Sequence, residues 1–169
     1  ANKYLQVAGN SASDGKNVEI GAGTGAAGQK WYLKNTNDGY VTLQSGLGNY
    51  MLDVANGTNE DGANAQIYSA YSGDPQKFIV KKTSKDGVYT IVTKGSNGTK
   101  ALDVASKSTA DGANVQQWTF NGNTNQQWQF EKVGSAPQPS QEVQPSQTVP
   151  SPVPSQSIPS QYTPAPSAN

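Results

Sequence analysis

Chemistry in this chain falls to carboxylates, amides and aromatic rings, because the sequence holds no histidine, cysteine or arginine. The commonest general base and the commonest zinc ligand are both missing. Thiolate chemistry and disulfides are missing as well. Two of the acids, Asp53 and Asp103, stand in the same tetrapeptide: Leu52-Asp53-Val54-Ala55 and Leu102-Asp103-Val104-Ala105. A glycosidase needs two carboxyls flanking one bond. Acids at equivalent places of a repeated chain are kept apart by the symmetry of the repeat, so catalysis is not expected. What the chain offers a ligand instead is carboxylates that accept, amides that donate and accept, and aromatic rings with apolar faces.

These residues sit in a threefold repeat. A weaker copy of the Leu-Asp-Val-Ala segment stands at Leu5-Gln6-Val7-Ala8. Each copy is followed by an Asp-Gly step and an Asn: Asp14-Gly15-Lys16-Asn17, Asp61-Gly62-Ala63-Asn64 and Asp111-Gly112-Ala113-Asn114. Each then reaches a Gln-x-aromatic triplet: Gln29-Lys30-Trp31, Gln76-Lys77-Phe78 and Gln126-Gln127-Trp128. Asp14 to Asp61 and Trp31 to Phe78 are both 47 residues, and Asp61 to Asp111 and Phe78 to Trp128 are both 50. Three markers in constant register establish the repeat.

The elements that position them read as strands. Tyr40-Val41-Thr42-Leu43-Gln44 and Val88-Tyr89-Thr90-Ile91-Val92 alternate or carry β-branched residues, as half-buried strands do. Asp-Gly steps, with Asn56-Gly57 and Asn97-Gly98, supply the positive φ that tight turns need. No window keeps a 3.6-residue period. The chain is expected to be all-β, with strands of roughly four to six residues. One repeat cannot bury its apolar face, whereas three around an axis close a barrel without open edges.

The order Leu-Asp-Val, Asp-Gly, Asn-x-Gln-x-aromatic, Gln-x-Trp resembles the ricin B-type β-trefoil. It is most similar to the family-thirteen carbohydrate-binding modules of bacterial glycoside hydrolases. The resemblance runs from residue 1 to about 133 and is fullest in Val115-Gln116-Gln117-Trp118 and Asn125-Gln126-Gln127-Trp128. It implies a trefoil over 1–134, with Trp31, Phe78 and Trp128 in the core. The family has four strands per repeat, the first preceding Leu-Asp-Val. Only Ala1-Asn2-Lys3-Tyr4 precede Leu5, so eleven strands are expected, with the first of repeat one missing. The expectation is a chain cut just inside the trefoil from a longer protein.

The resemblance also implies sugar-binding residues. Repeat three carries Asp103, Gln116, Trp118 and Asn125. Asp103 would accept from two hydroxyls, Trp118 would stack on the ring, Asn125 would bond one of the same hydroxyls and Gln116 would support Asp103. Repeat two carries Asp53, Gln66 and Tyr68, but Pro75 stands where the Asn would be, and Asp74 beside it is a candidate substitute. Repeat one has Gln6, Glu19, Gly21 and Gly28 at the four positions and is expected to be a structural copy. One acid per Asp-Gly loop is too few for a dedicated calcium site, so no metal or cofactor is expected.

Composition sets the context. Formal net charge is zero, without the basic excess of a nucleic-acid binder, and no apolar run has membrane-spanning length. Of ten prolines, only Pro75 precedes Pro137, and the only charged side chain after Lys132 is Glu142. Residues 135–169 therefore read as a Pro/Ser/Gln linker without a core, repeating Pro-Ser-Gln at Pro139, Pro145, Pro154 and Pro159. Deleting residues 136–169 should leave the melting temperature almost unchanged; a large drop would contradict the boundary. The expected protein is a secreted, monomeric, non-catalytic module. It would tether a linked glycoside hydrolase to a galactose- or xylose-type polysaccharide, with a catalytic domain upstream and a further module after the linker. The alternative is a protein-binding or structural trefoil on a secreted or cell-surface protein.

Overall fold

A computed structural model describes residues 2–133. The boundary at 134 and the linker lie outside the described residues. Ten strands follow one another: β1 (Tyr4–Val7), β2 (Lys16–Gly21), β3 (Trp31–Asn35), β4 (Val41–Ser45), β5 (Tyr50–Val54), β6 (Ala65–Ser69), β7 (Phe78–Lys82), β8 (Tyr89–Thr93), β9 (Lys100–Val104) and β10 (Val115–Thr119). The connections hold one-turn 3-10 segments, and no α-helix occurs among the described residues. The eleventh strand of the sequence reading is reduced to one antiparallel bridge, Trp128 to Tyr89. Asn56 and Gly57 take φ of 61° and 60°, and Asn97 and Gly98 take 56° and 77°, as the turn steps require.

The chain forms two compact units. The first comprises residues 1–30, 45–81 and 90–127 and holds every candidate sugar-binding residue. In it β1 pairs with β2, β2 with β6, and β6 with β5, while β9 joins β8 to β10. The three repeats share one register: Val7 faces Val18, Val54 faces Ala65 and Val104 faces Val115. One residue earlier, Gln6 faces Glu19, Asp53 faces Gln66 and Asp103 faces Gln116. Val18, Leu52, Ile67, Phe78, Leu102 and Val115 are almost fully buried. Each such side chain contributes about 1.5–3 kcal/mol relative to exposure. Gln117 takes the core position held by Ile20 and Ile67 in the other repeats. Its amide accepts from the Thr93 hydroxyl at 2.8 Å and donates to the Thr58 and Glu60 carbonyls at 3.2 and 3.1 Å, so a buried polar group is satisfied.

The second unit comprises residues 31–44, 82–89 and, among the described residues, 128–133. β3 pairs with β4, and Leu33, Leu43 and Val88 are buried. Tyr89 meets Phe130 edge to face at 5.4 Å. The three triplet aromatics are not equivalent. Phe78 is completely buried, while Trp31 and Trp128 are half-buried.

The Asp of each Asp-Gly step does more than turn the chain. Asp14 accepts from the Ser69 N–H at 2.7 Å, Asp61 from the Thr119 N–H at 2.7 Å and Asp111 from the Ala22 N–H at 2.9 Å. Each acid thus staples its own repeat to another. Lys100 pairs with Asp61 at 2.8 Å and Lys3 with Asp111 at 2.6 Å. The hydrogen bonds from Lys100 and then Thr119 hold the Asp61 carboxyl below its ordinary range, and those from Lys3 and Ala22 do the same for Asp111. A carboxyl lowered in the folded state stabilises above its unfolded pKa and loses that contribution as pH falls through the folded value. Stability should therefore fall below about pH 4. An Asp61→Asn/Asp111→Asn protein, followed by denaturant midpoint against pH, should show a shallower acid limb than the wild type. Parallel limbs would refute the assignment.

Candidate functional site

Strand alternation builds the site. Residues two apart on a strand share a face, so Asp103 on β9 lies on one face with Gln116 and Trp118 of β10, which oppose Asp103 and Ala101. The Asp103 carboxylate is only 3% exposed. Burial of a charge is tolerated when hydrogen bonds replace its hydration. Here Gln116 Nε2 donates to Oδ1 at 3.0 Å. Asn125 Nδ2 and Gln126 Nε2 donate to Oδ2 at 3.0 and 2.9 Å. A carboxylate offers roughly four acceptor positions, and these three donors leave one, on Oδ1. Asp103 thus has room for one hydroxyl hydrogen rather than two.

The second acceptor is on Asn125. Its Nδ2 also donates to the Val104 carbonyl at 3.0 Å, and its Oδ1 is buried without a hydrogen-bond partner. The amide orientation follows from its neighbours, because turning it over would set two oxygens against Asp103 and Val104. A buried acceptor left unmade costs about 1–3 kcal/mol, which a donor hydroxyl would recover. Trp118, 40% exposed, presents the ring. Repeat three therefore joins all four of the residues singled out in its sequence.

Gln126 was recognised in the sequence only as part of a triplet, and the structure makes it the hub of the site. It is fully buried. Nε2 also donates to the Thr119 carbonyl at 3.0 Å, and Oε1 accepts from the Asn121 N–H at 2.9 Å. The signal was available, since a Gln invariant across three repeats beside a core aromatic has a partner to hold.

Repeat two joins Asp53, Gln66 and Tyr68 in the same way. Asp53 is 3% exposed, and Gln66 Nε2 donates to its Oδ1 at 2.9 Å. Gln76 Nε2 donates to Oδ2 at 3.1 Å. The place of the missing Asn is filled by Tyr71, whose hydroxyl donates to Oδ2 at 3.1 Å. Asp74 does not substitute: its Oδ1 accepts from Lys94 Nζ at 2.8 Å. Burial of the phenol, then the Asp53 charge and hydrogen bond, push Tyr71 up to about 12. Tyr71 therefore remains a neutral donor to Asp53 through the physiological range. Ultraviolet titration should show a tyrosine that ionises at about pH 12 and is lost in Tyr71→Phe. Asp53→Asn should bring it down, and an unchanged value would remove Asp53 as a cause.

Repeat one is filled from within. Gln6 Nε2 donates to Glu19 at 2.9 Å, and Gln29 Nε2 donates to Gln6 Oε1 at 2.7 Å. A Cβ on Gly21 would fall 2.4 Å from Gln6 Oε1, so an amide lies where the other repeats start their ring. Gly28 has no side chain to offer, and its N–H donates to Asn10 Oδ1 at 2.7 Å.

A family model described as "Ricin-type beta-trefoil lectin domain-like" matches residues 1–68 and 74–138. The α subunit of clotting factor G from Tachypleus tridentatus is 38% identical over 62% of this chain, which spans 18% of that protein. Among solved structures, the designed threefold-symmetric protein ThreeFoil aligns with a TM-score of 0.71 and 42% identity, over 75% of this chain and 89% of that one. An exo-beta-1,3-galactanase from Clostridium thermocellum aligns with a TM-score of 0.70 and 32% identity, over 75% of this chain and 27% of the enzyme.

Proposed function

Because the chain belongs to the ricin-type β-trefoil lectin domain-like family, we propose that it is a non-catalytic module that tethers an attached glycoside hydrolase to a plant-type polysaccharide of the galactan or xylan class. The family's fold implies carbohydrate binding, and the all-β trefoil is common to the chain and its structural neighbours. The tethering role draws support from the galactanase, of which a trefoil like this one is about a quarter. The observation that carries the sugar reading is a pair of acceptors in the same repeat as the exposed Trp118 ring. One is the remaining lone pair of Asp103 and the other the unpaired Asn125 Oδ1. Two neighbouring acceptors and a half-exposed ring within one repeat match two hydroxyls and a C–H face.

Repeats two and three each offer one shallow site, with Kd of roughly 0.1–1 mM, or about −4 to −5.5 kcal/mol. Two such sites on one polymer raise avidity without new contacts when both engage. The module acts outside the cell, next to the catalytic domain it serves. The test is affinity electrophoresis and calorimetry against galactan, arabinogalactan, xylan and β-glucan. Retardation by one polymer, weakened in Trp118→Ala, supports the reading and names the ligand class. No binding by folded protein would favour a protein-binding or structural trefoil.

A further inference from the structure

Repeat two departs from repeat three at all five positions from 71 to 75, and four of the departures fit one another. Pro75 stands where repeat three has Asn125, and Tyr71 where it has Asn121. The backbone fixes the second match: the N–H groups of Tyr71 and Asn121 donate to the buried glutamines, at 3.2 Å to Gln76 and 2.9 Å to Gln126. The Tyr71 ring needs room to fold inward. Gly73 provides it, because a Cβ there would fall 2.2 Å from Tyr71 Cε2. Repeat three has Asn123 at that place. The glycine of this turn has in effect moved by one residue. Gly25 and Gly122 take φ of 74° and 73° in the outer repeats, and Ser72 takes 61° in repeat two. A serine in the left-handed region carries a steric cost that glycine avoids. Repeat two bears that cost and leaves Gly73 free to house the ring.

The ring so housed is not core. Tyr71 is 52% exposed and Tyr68 40%, and their planes meet at 87° with centroids 6.1 Å apart. The pair forms an open aromatic corner with the Tyr71 hydroxyl, bonded to Asp53, at its foot. Resting on the sugar-binding reading above, we infer that Tyr71 is a specificity-determining residue. By replacing the amide of repeat three with a phenol, it lets repeat two take sugar units whose second hydroxyl is absent or substituted, as in the interior of a chain, while repeat three requires that hydroxyl free. In repeat three a ligand without it leaves Asn125 Oδ1 buried and unpaired, and a site built to bond a hydroxyl rejects the analogue that lacks it. In repeat two Tyr71 and Gln76 already occupy Asp53 Oδ2, which leaves one carboxylate position on Oδ1 for a hydroxyl; the Tyr71 oxygen can accept as well, but its hydrogen bond to Asp53 is already made and it does not depend on a ligand hydroxyl as Asn125 Oδ1 does. The ring corner meets the substituent instead.

The test isolates each repeat in the full chain: Trp118→Ala leaves repeat two and Tyr68→Ala leaves repeat three. Each is titrated by NMR with methyl β-galactoside, methyl β-xyloside and their monodeoxy derivatives. Repeat three should lose about tenfold or more in affinity at two hydroxyl positions, and repeat two at one. Adding Tyr71→Phe to the Trp118→Ala protein exposes Asp53 Oδ2, so sensitivity at a second hydroxyl should appear in repeat two. Near-ultraviolet circular dichroism checks that this variant keeps its packing; a Tyr71→Asn protein, with the residue repeat three has at that place, replaces it if not. Equal deoxy-sensitivity of the two repeats, or a pattern unmoved by replacing Tyr71, overturns this inference and leaves the lectin reading standing. Binding of neither series by the wild type overturns both.

Discussion

Asp103→Asn should abolish sugar binding by repeat three and destabilise the protein by about 2–4 kcal/mol. The substitution keeps size and shape but turns one oxygen into a donor. Three amides aim N–H groups at this carboxylate: Gln116, Asn125 and Gln126. Whichever way the new amide points, its NH2 meets at least one of them head-on, in a setting only 3% exposed. Asp61→Asn, at an exposed staple, is the contrast: the new side chain can still accept from Thr119, so the cost at neutral pH should be small. Chemical denaturation gives the stability change, and calorimetry with the polymer found in the binding screen gives the affinity. A stability change below about 0.5 kcal/mol would mean that the three donors find other partners. Retained binding would remove Asp103 from the site.

Phe78→Ala should cost about 3–5 kcal/mol, the range for truncating a large buried side chain and leaving a cavity. Phe78 is completely buried. Trp31→Ala and Trp128→Ala should each cost less despite the larger side chain removed, because both rings are half-buried and water can fill part of the space. Denaturant midpoints of the three variants decide the order. Equal losses would show that the three triplet aromatics act as equivalent core residues, as their sequence positions suggest. The Phe78 variant should bind sugar where it remains folded, since none of its atoms bonds to the candidate sites.

Among the residues, the repeat markers themselves carried most of the fold. Period-two alternation and turn steps place β4 and β8 to within one residue. The Leu-Asp-Val segments become β5 and β9 with a shared register. The site pairs Asp53–Gln66 and Asp103–Gln116 were legible only through the resemblance to the ricin B-type trefoil, and the shared register then sets each pair directly opposite across two strands. Tyr71 was not legible. It lies three residues beyond Tyr68, in a turn whose path depends on Ser72 taking a left-handed φ and on Gly73 lacking a Cβ. No spacing rule says that a phenol enters where proline has replaced an amide.

The sequence by itself determined the class of fold, the threefold register and the chemistry available, since these follow from residue types and their periods. Tertiary structure alone decided how each polar group is spent. It assigned Asp14, Asp61 and Asp111 to staples between repeats, made Gln76 and Gln126 hubs beneath the carboxylates, and filled repeat one with the Gln6 amide. The physical reason is that hydrogen-bond capacity is finite and local. Which donor reaches a carboxylate first depends on ångström distances across strands far apart in sequence, and those distances exist only once the chain has folded.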